Sequence, residues 1–386
     1  MKISDQQYSL ILDYISGELE EQARNDVELW IKSSDENKRA YHKVLKKTLY
    51  TQWSLKDVSI NQDLELKKFE RRLHAKTRFL SYAAVAASIL ILISVSVSIL
   101  LDHPKSELDR IVAENTTISP GERGAELILS TGEIIDINTS KSQVKESNGS
   151  VIQIDSVSGI DYKSASIGST KQIYNTLKTA RGREFNIILS DGTKVWLNAE
   201  SELRYPVQFA GDTRQVYLKG EGYFDVKSDK DIPFLVNSGG HQVKVYGTQF
   251  CVNTYDEAYI QTVLVEGSIG LKSSAIAKES RLKPGDLAVV DLITGDLDIK
   301  QVNVRPYVAW KDGDFVFEDE NLESIMRRLE RWYDVKVFFM NPETKFFRFT
   351  GDMKRYSRVE DLLYFIEETS NAKFEIKDNA ILIMKK

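Results

Sequence analysis

The residue types that most often carry chemistry, histidine and cysteine, are few in this chain and widely separated. The histidines are His42, His74, His103 and His241. No spacing among them would place two on one metal, as a zinc site requires. The single cysteine, Cys251, lies in the alternating run QFCVNTY, which is typical of a strand rather than of a nucleophile. The sequence therefore predicts no metal site, no cofactor and no catalytic centre built on these residues.

Glycine-rich and aromatic motifs give no catalytic signature either. Gly220-Glu221-Gly222 and Gly239-Gly240 fall between strand-like runs, where glycine forms hairpins rather than phosphate cradles. The sequence contains no P-loop, dinucleotide fingerprint or nucleophile elbow. Four aromatic residues alternate with polar ones and are expected in a core rather than on a ligand platform: Trp196, Tyr217, Tyr223 and Tyr246. An enzyme is the weakest of the function classes considered.

The composition is that of ordinary globular protein apart from one segment. The 386 residues are 28% charged and 42% hydrophobic, with a formal net charge of −5. Because phosphate binding needs a concentrated positive field, this balance excludes a broadly basic nucleic-acid binder. One cysteine allows no intrachain disulfide, and the length suggests three or four modules.

Residues 79–101, FLSYAAVAASILILISVSVSILL, contain no charge, proline or glycine. As a helix they would be about 34 Å long, enough to cross a hydrocarbon core of about 30 Å. A buried core helix would carry a polar stripe, and a signal peptide would begin nearer Met1 and be shorter. The segment is therefore predicted to be a single transmembrane helix.

The flanks of this segment predict its orientation. The residues before it are strongly basic: Lys67, Lys68, Arg71, Arg72, Lys76 and Arg78. The residues after it, 102–110, are of mixed charge. Because basic flanks stay in the cytoplasm, we expect a cytoplasmic N-terminus in the inner membrane and a periplasmic C-terminus.

The first 60 residues carry three amphipathic helical patterns. Capping boxes at Ser4–Gln7 and Ser33–Glu36 predict two of the helix starts. So small a domain buries little apolar surface, and a partner that covers the leftover stripe would stabilise it. A self-contained three-helix bundle is the alternative.

Between about residue 115 and residue 305, strand-like alternation is broken by turn signals such as Asp191-Gly192. This rhythm predicts an all-β sandwich or solenoid-like roll. A weak internal repeat supports stacking, since the run from Arg123 to Gly132 resembles the run from Arg181 to Gly192 with a two-residue gap. Residues 140–170, rich in Ser, Lys and Gly, are expected to be an exposed loop.

The apolar patterns of residues 312–386 predict the element order β-α-β-β-α-β-β, which describes a small two-layer α+β domain. Its first helix carries apolar residues at helical spacing: Leu322, Ile325, Met326 and Leu329. A capping box at Ser357–Glu360 is expected to begin its second helix.

The predicted fold class is thus a multidomain membrane protein with one all-α, one all-β and one α+β part. Its expected segments are a cytoplasmic helical domain (1–60), a basic juxtamembrane helix (61–78), the transmembrane helix (79–101), a periplasmic linker with a first β segment (102–170), a β domain (171–305) and a C-terminal βαββαβ-type domain (312–386).

Several segments resemble one protein family, in the family's order. LSDGTKVWLNAESELRYP, VYLKGEGYFDV, VYGTQFCVNTY, VLVEGSI and PGDLAVV are similar to the FecR family of transmembrane anti-sigma regulators. FVFEDENLESIMRRLERWYDVKV resembles the C-terminal domain of FecR proteins from the Bacteroidetes group. LILDYISGELEEQARNDVELWIKSSDENKRAYH resembles the family's cytoplasmic anti-sigma segment.

The resemblance implies a signal relay across two membranes. The periplasmic part would contact the signalling domain of a TonB-dependent outer-membrane receptor, and the cytoplasmic helices would hold an extracytoplasmic-function sigma factor. Membrane lipid is the third expected partner, and direct nucleic-acid binding is not expected. The expected sigma contacts are Leu10, Ile11, Tyr14, Leu29 and Trp30.

The resemblance also implies a candidate reaction, because some family members cleave themselves at a Gly-Thr bond. Gly247-Thr248 lies in the matching motif, where the threonine hydroxyl would attack the preceding carbonyl to give an ester that water then hydrolyses. Alternatively, the glycine only permits a bulge or a tight approach before the strand at Gln249–Tyr255.

A different function class also fits the sequence: a membrane-tethered periplasmic binding or scaffold module without a transcriptional role. The N-terminal segment distinguishes the two hypotheses. A scaffold would tolerate deletion of residues 1–60, whereas a regulator would lose control of transcription.

Overall fold

The computed structural model describes residues 5–16, 19, 21–54, 118–137, 142–146, 149, 151–155, 159–162, 172–273 and 279–386. The predicted membrane span at 79–101 and its flanks lie outside these residues. Within the described ranges, no helix is both long and apolar enough to cross a membrane.

The N-terminal part consists of α1 (Asp5–Ser16), α2 (Glu21–Lys32) and α3 (Asp35–Ser54). Its core is formed by residues from the predicted apolar faces: Ile11, Val27, Ile31, Tyr41, Val44 and Leu45. The cap of α3 differs from the predicted one. The Asn37 amide donates to Ser34 Oγ at 3.1 Å, so the capping hydroxyl lies one residue after Ser33.

The described strands before residue 302 form two sheets. The eleven-stranded sheet contains β1 (Glu122–Arg123), β4 (Ser142–Lys145), β5 (Val151–Asp155), β6 (Gly159–Asp161), β8 (Arg183–Ile188), β9 (Lys194–Leu197), β12 (Glu221–Asp225), β15 (Gln249–Asn253), β16 (Tyr259–Glu266), β19 (Asp286–Asp291) and β20 (Leu297–Gln301). The nine-stranded sheet contains β2 (Glu126–Ile128), β3 (Ile134–Asp136), β7 (Tyr174–Thr179), β10 (Ser201–Pro206), β11 (Arg214–Lys219), β13 (Phe234–Ser238), β14 (His241–Val245), β17 (Ile269–Ser273) and β18 (Ser280–Leu282).

The chain passes back and forth between these sheets, mostly two strands at a time. For example, β13 and β14 belong to the nine-stranded sheet, β15 and β16 to the eleven-stranded sheet, and β17 and β18 again to the nine-stranded sheet. Both sheets contribute to one apolar core, in which Leu203, Phe224 and Phe250 are fully buried. The all-β prediction for this region is therefore confirmed, and we call this two-sheet unit the roll.

The expected loop at 140–170 is wrong in part. It contains β4, β5 and β6, and Ile152 and Ile160 are completely buried in the core of the roll. The composition favoured a loop, but these strands are held in the sheet by pairing with one another and with β8.

The internal repeat corresponds to two matching hairpin turns. Leu129 accepts a backbone hydrogen bond from Gly132 at 2.9 Å, and Leu189 accepts one from Gly192 at 2.8 Å. Both glycines have positive φ, 87° and 88°, which suits a tight turn. The two hairpins, β2–β3 and β8–β9, lie in different sheets.

The C-terminal module, residues 305–385, follows the predicted order of elements. It contains α4 (Arg305–Val308), a 3₁₀ turn (Ala309–Asp312), β21 (Asp314–Asn321), α5 (Leu322–Trp332), β22 (Lys336–Phe339), a 3₁₀ turn (Pro342–Phe346), β23 (Arg348–Lys354), α6 (Val359–Thr369), β24 (Ala372–Lys377) and β25 (Ala380–Lys385). Strand β21 pairs with β23, and the other three form a sheet in the order β22-β25-β24.

In this module the predicted buried face of α5 is correct, and the predicted cap of α6 is wrong. The four apolar residues predicted on α5 are all buried, at 1% exposure or less. The capping box at Ser357–Glu360 is absent, because α6 begins after Arg358 without a side-chain cap. The cap that the structure does contain is Asn321, whose Oδ1 accepts the Ser324 amide at 2.8 Å at the start of α5.

A buried arginine joins the module to the roll. Arg355 is 2% exposed, and its Nη1 donates to Glu184 Oε2 of β8 at 2.7 Å. Its Nη2 donates to Asn198 Oδ1, after β9. The guanidinium carbon lies 3.7 Å from the centre of the Trp332 ring, at the end of α5.

The helices of the N-terminal part contact α6. The Tyr41 hydroxyl donates to Asp361 Oδ2 at 2.7 Å, and the rings of His42 and Tyr364 stack with centres 4.1 Å apart. Burial raises the pKa of Asp361 to about 7, so this carboxyl is protonated far more readily than an exposed one.

Candidate functional site

The five expected sigma contacts divide between the core and the surface of the helical part. Ile11 is 2% exposed and lies inside the core, and Tyr14 and Trp30 are half-buried against it. Leu10 is 40% exposed and Leu29 is 67% exposed. The structure therefore leaves two leucines as accessible apolar contacts.

Leu29 is the more exposed of these two leucines. Its helix α2 buries Val27 and Ile31 on the opposite face, so Leu29 contributes nothing to the core. Covering an exposed leucine is worth about 1.5–3 kcal/mol. A single exposed leucine is common on protein surfaces, but this one lies on the element predicted to contact a partner. The Tyr14 hydroxyl donates to Glu28 Oε1 at 3.3 Å, which ties α1 to the same helix.

The candidate cleavage bond lies at a corner of the roll, where the chain passes from β14 to β15. Gly247 has φ of 155°, and a Cβ there would lie 2.8 Å from Ser228 Cα, so only glycine fits. The side chain of Thr248 is nearly buried, at 5% exposure for the residue. Its Oγ1 donates to the Ser268 carbonyl at 3.0 Å and accepts from the Ser268 amide at 3.4 Å.

The return corner, from β16 to β17, packs directly on this bond. A Cβ on Gly267 would lie 2.8 Å from Thr248 Oγ1 and 2.9 Å from the Gly247 carbonyl oxygen. The hydroxyl is thus enclosed between two corners. The hydrogen bonds described for it join it only to the main chain of Ser268, not to an acid or base side chain.

A second pair of corners repeats this arrangement. Ser201 begins β10, and its Oγ accepts from the Glu221 amide at 2.9 Å. A Cβ on Gly220 would overlap Ser201 Oγ, as one on Gly267 would press on Thr248. Gly220 lies nineteen positions after Ser201, and Gly267 lies nineteen positions after Thr248. The sequence signal was therefore a hydroxyl followed by a glycine at this spacing, which marks a structural corner of the fold.

The other residues considered for chemistry are structural or exposed. Cys251 is fully enclosed beside Glu221, and burial raises the pKa of its thiol, which disfavours a nucleophilic thiolate. Tyr223 is buried with it, as expected for a core residue. Tyr217 and Tyr246 are 37% and 42% exposed, so the expectation of core positions is wrong for these two. In the described parts of the chain, no group of three or more potential ligands could hold a metal ion.

Comparisons with known proteins match two stretches of the chain. Residues 175–270 match the model of the FecR protein family, and residues 314–383 match that of the FecR C-terminal domain. The fold is similar to a crystal structure at 1.65 Å of a proposed anti-sigma factor from Parabacteroides distasonis ATCC 8503. That match has 26% identity and a TM-score of 0.50, and covers 55% of this chain and 99% of the other.

A crystal structure at 2.50 Å of a proposed anti-sigma factor from the same organism matches equally well. The identity is again 26% and the TM-score 0.50, over 55% of this chain and 100% of that one. No curated protein matches the sequence.

Proposed function

This chain belongs to the FecR family, and on that premise we propose that it is an anti-sigma regulator of transcription. The observation that carries the proposal is the likeness to two proposed anti-sigma structures. A helical domain with an exposed leucine on α2 adds to it, since such a surface suits a partner helix.

The proposed pathway runs across the inner membrane. A TonB-dependent receptor would contact the periplasmic roll and module, residues 79–101 would span the lipid, and the helical domain would hold an extracytoplasmic-function sigma factor. The uncharged stretch of 23 residues and its basic flank support this topology.

This topology has a consequence for the contact between Tyr41 and Asp361. A bilayer between residues 54 and 118 would place α3 and α6 in different compartments. In one chain, the contact of Tyr41 with Asp361 and a bilayer crossing at 79–101 therefore exclude each other.

For the Gly247-Thr248 bond we propose a structural role rather than self-cleavage. The support is the equivalent pair of corners at Ser201 and Gly220, where a hydroxyl occupies the same place without a preceding glycine. On this proposal the chain acts by binding and not as an enzyme.

The test of the anti-sigma proposal is retention of a sigma factor by the full chain. Co-expressed extracytoplasmic-function sigma factors from the same genome should co-purify with the detergent-solubilised wild type. Leu29→Asp should reduce retention about tenfold or more, because it removes an apolar contact worth 1.5–3 kcal/mol. Ile293→Asp, at a position 82% exposed in the roll, is the matched control and should have no effect.

Retention of no sigma factor would favour the alternative, a tethered periplasmic binding or scaffold module. Equal loss in both variants would contradict the assignment of Leu29 as a contact.

A further inference from the structure

A cleft of about 730 Å³ separates the roll from the C-terminal module. Its volume lies within the range of roughly 300–1,000 Å³ found for small-molecule sites, and domain boundaries are a common place for such sites. The cleft is distinct from the helical domain and from the Gly247-Thr248 corner, because no residue of either lines it.

One wall is the polar face of α5. Ser324, Arg327, Arg328 and Arg331 follow one another at helical spacing, and all four line the cleft. The apolar face of the same helix is buried in the core of the module. This wall therefore presents several long donor side chains to the cleft.

A second wall belongs to the end of β15, the start of β16 and the turn between them. Tyr255 and Tyr259 lie there, and the Arg331 guanidinium carbon is 3.9 Å above the centre of the Tyr255 ring. Tyr259 is 44% exposed, so its ring is open to solvent. Tyrosine rings offer an apolar face and a polar tip to a ligand.

The charges of the lining nearly cancel. Six cationic and five acidic side chains line the cleft. Several are already paired across short distances, as Arg328 is with Glu320 at 2.8 Å and Arg348 with Asp319 at 2.6 Å. A strongly anionic ligand such as a polyphosphate would gain little here. The pairs instead place hydrogen-bond donors and acceptors side by side.

The remaining lining is rich in side-chain amides, which can both donate and accept, and most of them already make a hydrogen bond within the protein, as Asn253 does to Glu221 at 3.1 Å. They are Asn198, Asn253, Gln261, Gln301, Asn303 and Asn321. The apolar lining is small, and two of its members, Trp310 and Phe315, are themselves buried. A peptide ligand would find few apolar pockets for its side chains.

We propose that this cleft binds a neutral oligosaccharide. Sugar hydroxyls both donate and accept, which matches the mixed donors and acceptors of the lining, and the C–H faces of sugar rings suit the exposed ring of Tyr259. The site is independent of sigma binding, so either proposal can fail while the other stands.

The test uses the full chain in a zwitterionic detergent without a sugar headgroup. The protein is applied to an array of neutral and acidic oligosaccharides and, in parallel, to a peptide array. The neutral oligosaccharide that binds most tightly on the array is then titrated into the protein by calorimetry. Tyr259→Ala and Arg331→Gln should each weaken its binding at least about tenfold, by loss of a stacking surface or a donor.

The matched control is Tyr246→Ala, an equally exposed tyrosine outside the cleft, which should bind like the wild type. The proposal is overturned if no neutral oligosaccharide binds, if only acidic sugars or peptides bind, or if Tyr246→Ala weakens binding as much as the cleft variants do.

Discussion

Thr248 and Ser201 each place a hydroxyl at a corner of the roll, where it accepts a backbone amide from the adjacent corner. Thr248→Ala should therefore lower the free energy of unfolding by about 0.5–1.5 kcal/mol, because the hydroxyl's hydrogen bonds to the main chain of Ser268 are lost. Thr248→Ser should keep most of the stability. Urea denaturation of the three proteins measures the difference.

The same variants decide the question of cleavage. On a blot of membrane fractions, we expect one full-length band for the wild type and for Thr248→Ala. A fragment that ends at Gly247 in the wild type and disappears in Thr248→Ala would refute the purely structural role.

His241 should make the stability of the roll depend on pH. It is 1% exposed, and burial lowers its pKa to about 4, from an ordinary value near 6.5. The unfolded chain then binds more protons than the folded one between these values. Neutral His241 therefore contributes up to about 3 kcal/mol to the free energy of unfolding. This contribution is complete above pH 6.5 and is lost as the pH falls towards 4.

The comparison of urea midpoints at pH 7.5 and pH 4.5 tests this. His241→Gln cannot take up the proton, so its midpoint should fall less over that range than that of the wild type. Equal falls would show that His241 is accessible or already protonated in the folded protein.

At the residue scale, the sequence singled out residues whose surroundings only the fold reveals. It singled out Thr248, but the role suggested by the structure depends on Ser201 and Ser268, whose proximity arises only in the folded roll. It grouped Ile11 with Leu10 and Leu29, because helical spacing alone does not say which side of a short helix faces its neighbours.

At the level of the helices, Asn321 and Ser357 form a matched pair. Asn321→Ala removes the cap of α5 and should reduce stability by about 1 kcal/mol. Ser357→Ala, at the cap predicted from sequence, should change it by less than about 0.5 kcal/mol, because α6 has no side-chain cap. Thermal unfolding of both variants measures this. A larger loss in Ser357→Ala would place a cap there after all.

The elements of the C-terminal module were predictable because their periodicity is strong and local. Four apolar residues of α5 at helical spacing were enough to predict its buried face. The strands between 142 and 161 were missed, since short strands in a polar stretch are fixed by their partners in the sheet and not by their own composition.

At the scale of the whole molecule, the spanning topology can be tested through the contact of α3 with α6. His42→Cys and Tyr364→Cys place thiols where two stacked rings now lie. In intact membranes a short bis-maleimide should not link them within one chain, because a bilayer would separate them. The native Cys251 is buried and is the internal control for labelling.

The same cross-linking reaction in detergent-solubilised protein is compared with the reaction in intact membranes. Linkage there but not in membranes would agree with a span at 79–101. Linkage within one chain in intact membranes would contradict the proposed topology.

Arg355, which joins the C-terminal module to the roll, affects how force is transmitted between these two parts of the molecule. Arg355 is clasped by Glu184 and Asn198 on one side and lies against Trp332 on the other. Drawing it out would leave the Glu184 carboxylate without its ion-pair partner, which disfavours separation of the module from the roll. A force applied to the module would therefore be transmitted to β8 of the roll through Arg355 before this contact broke.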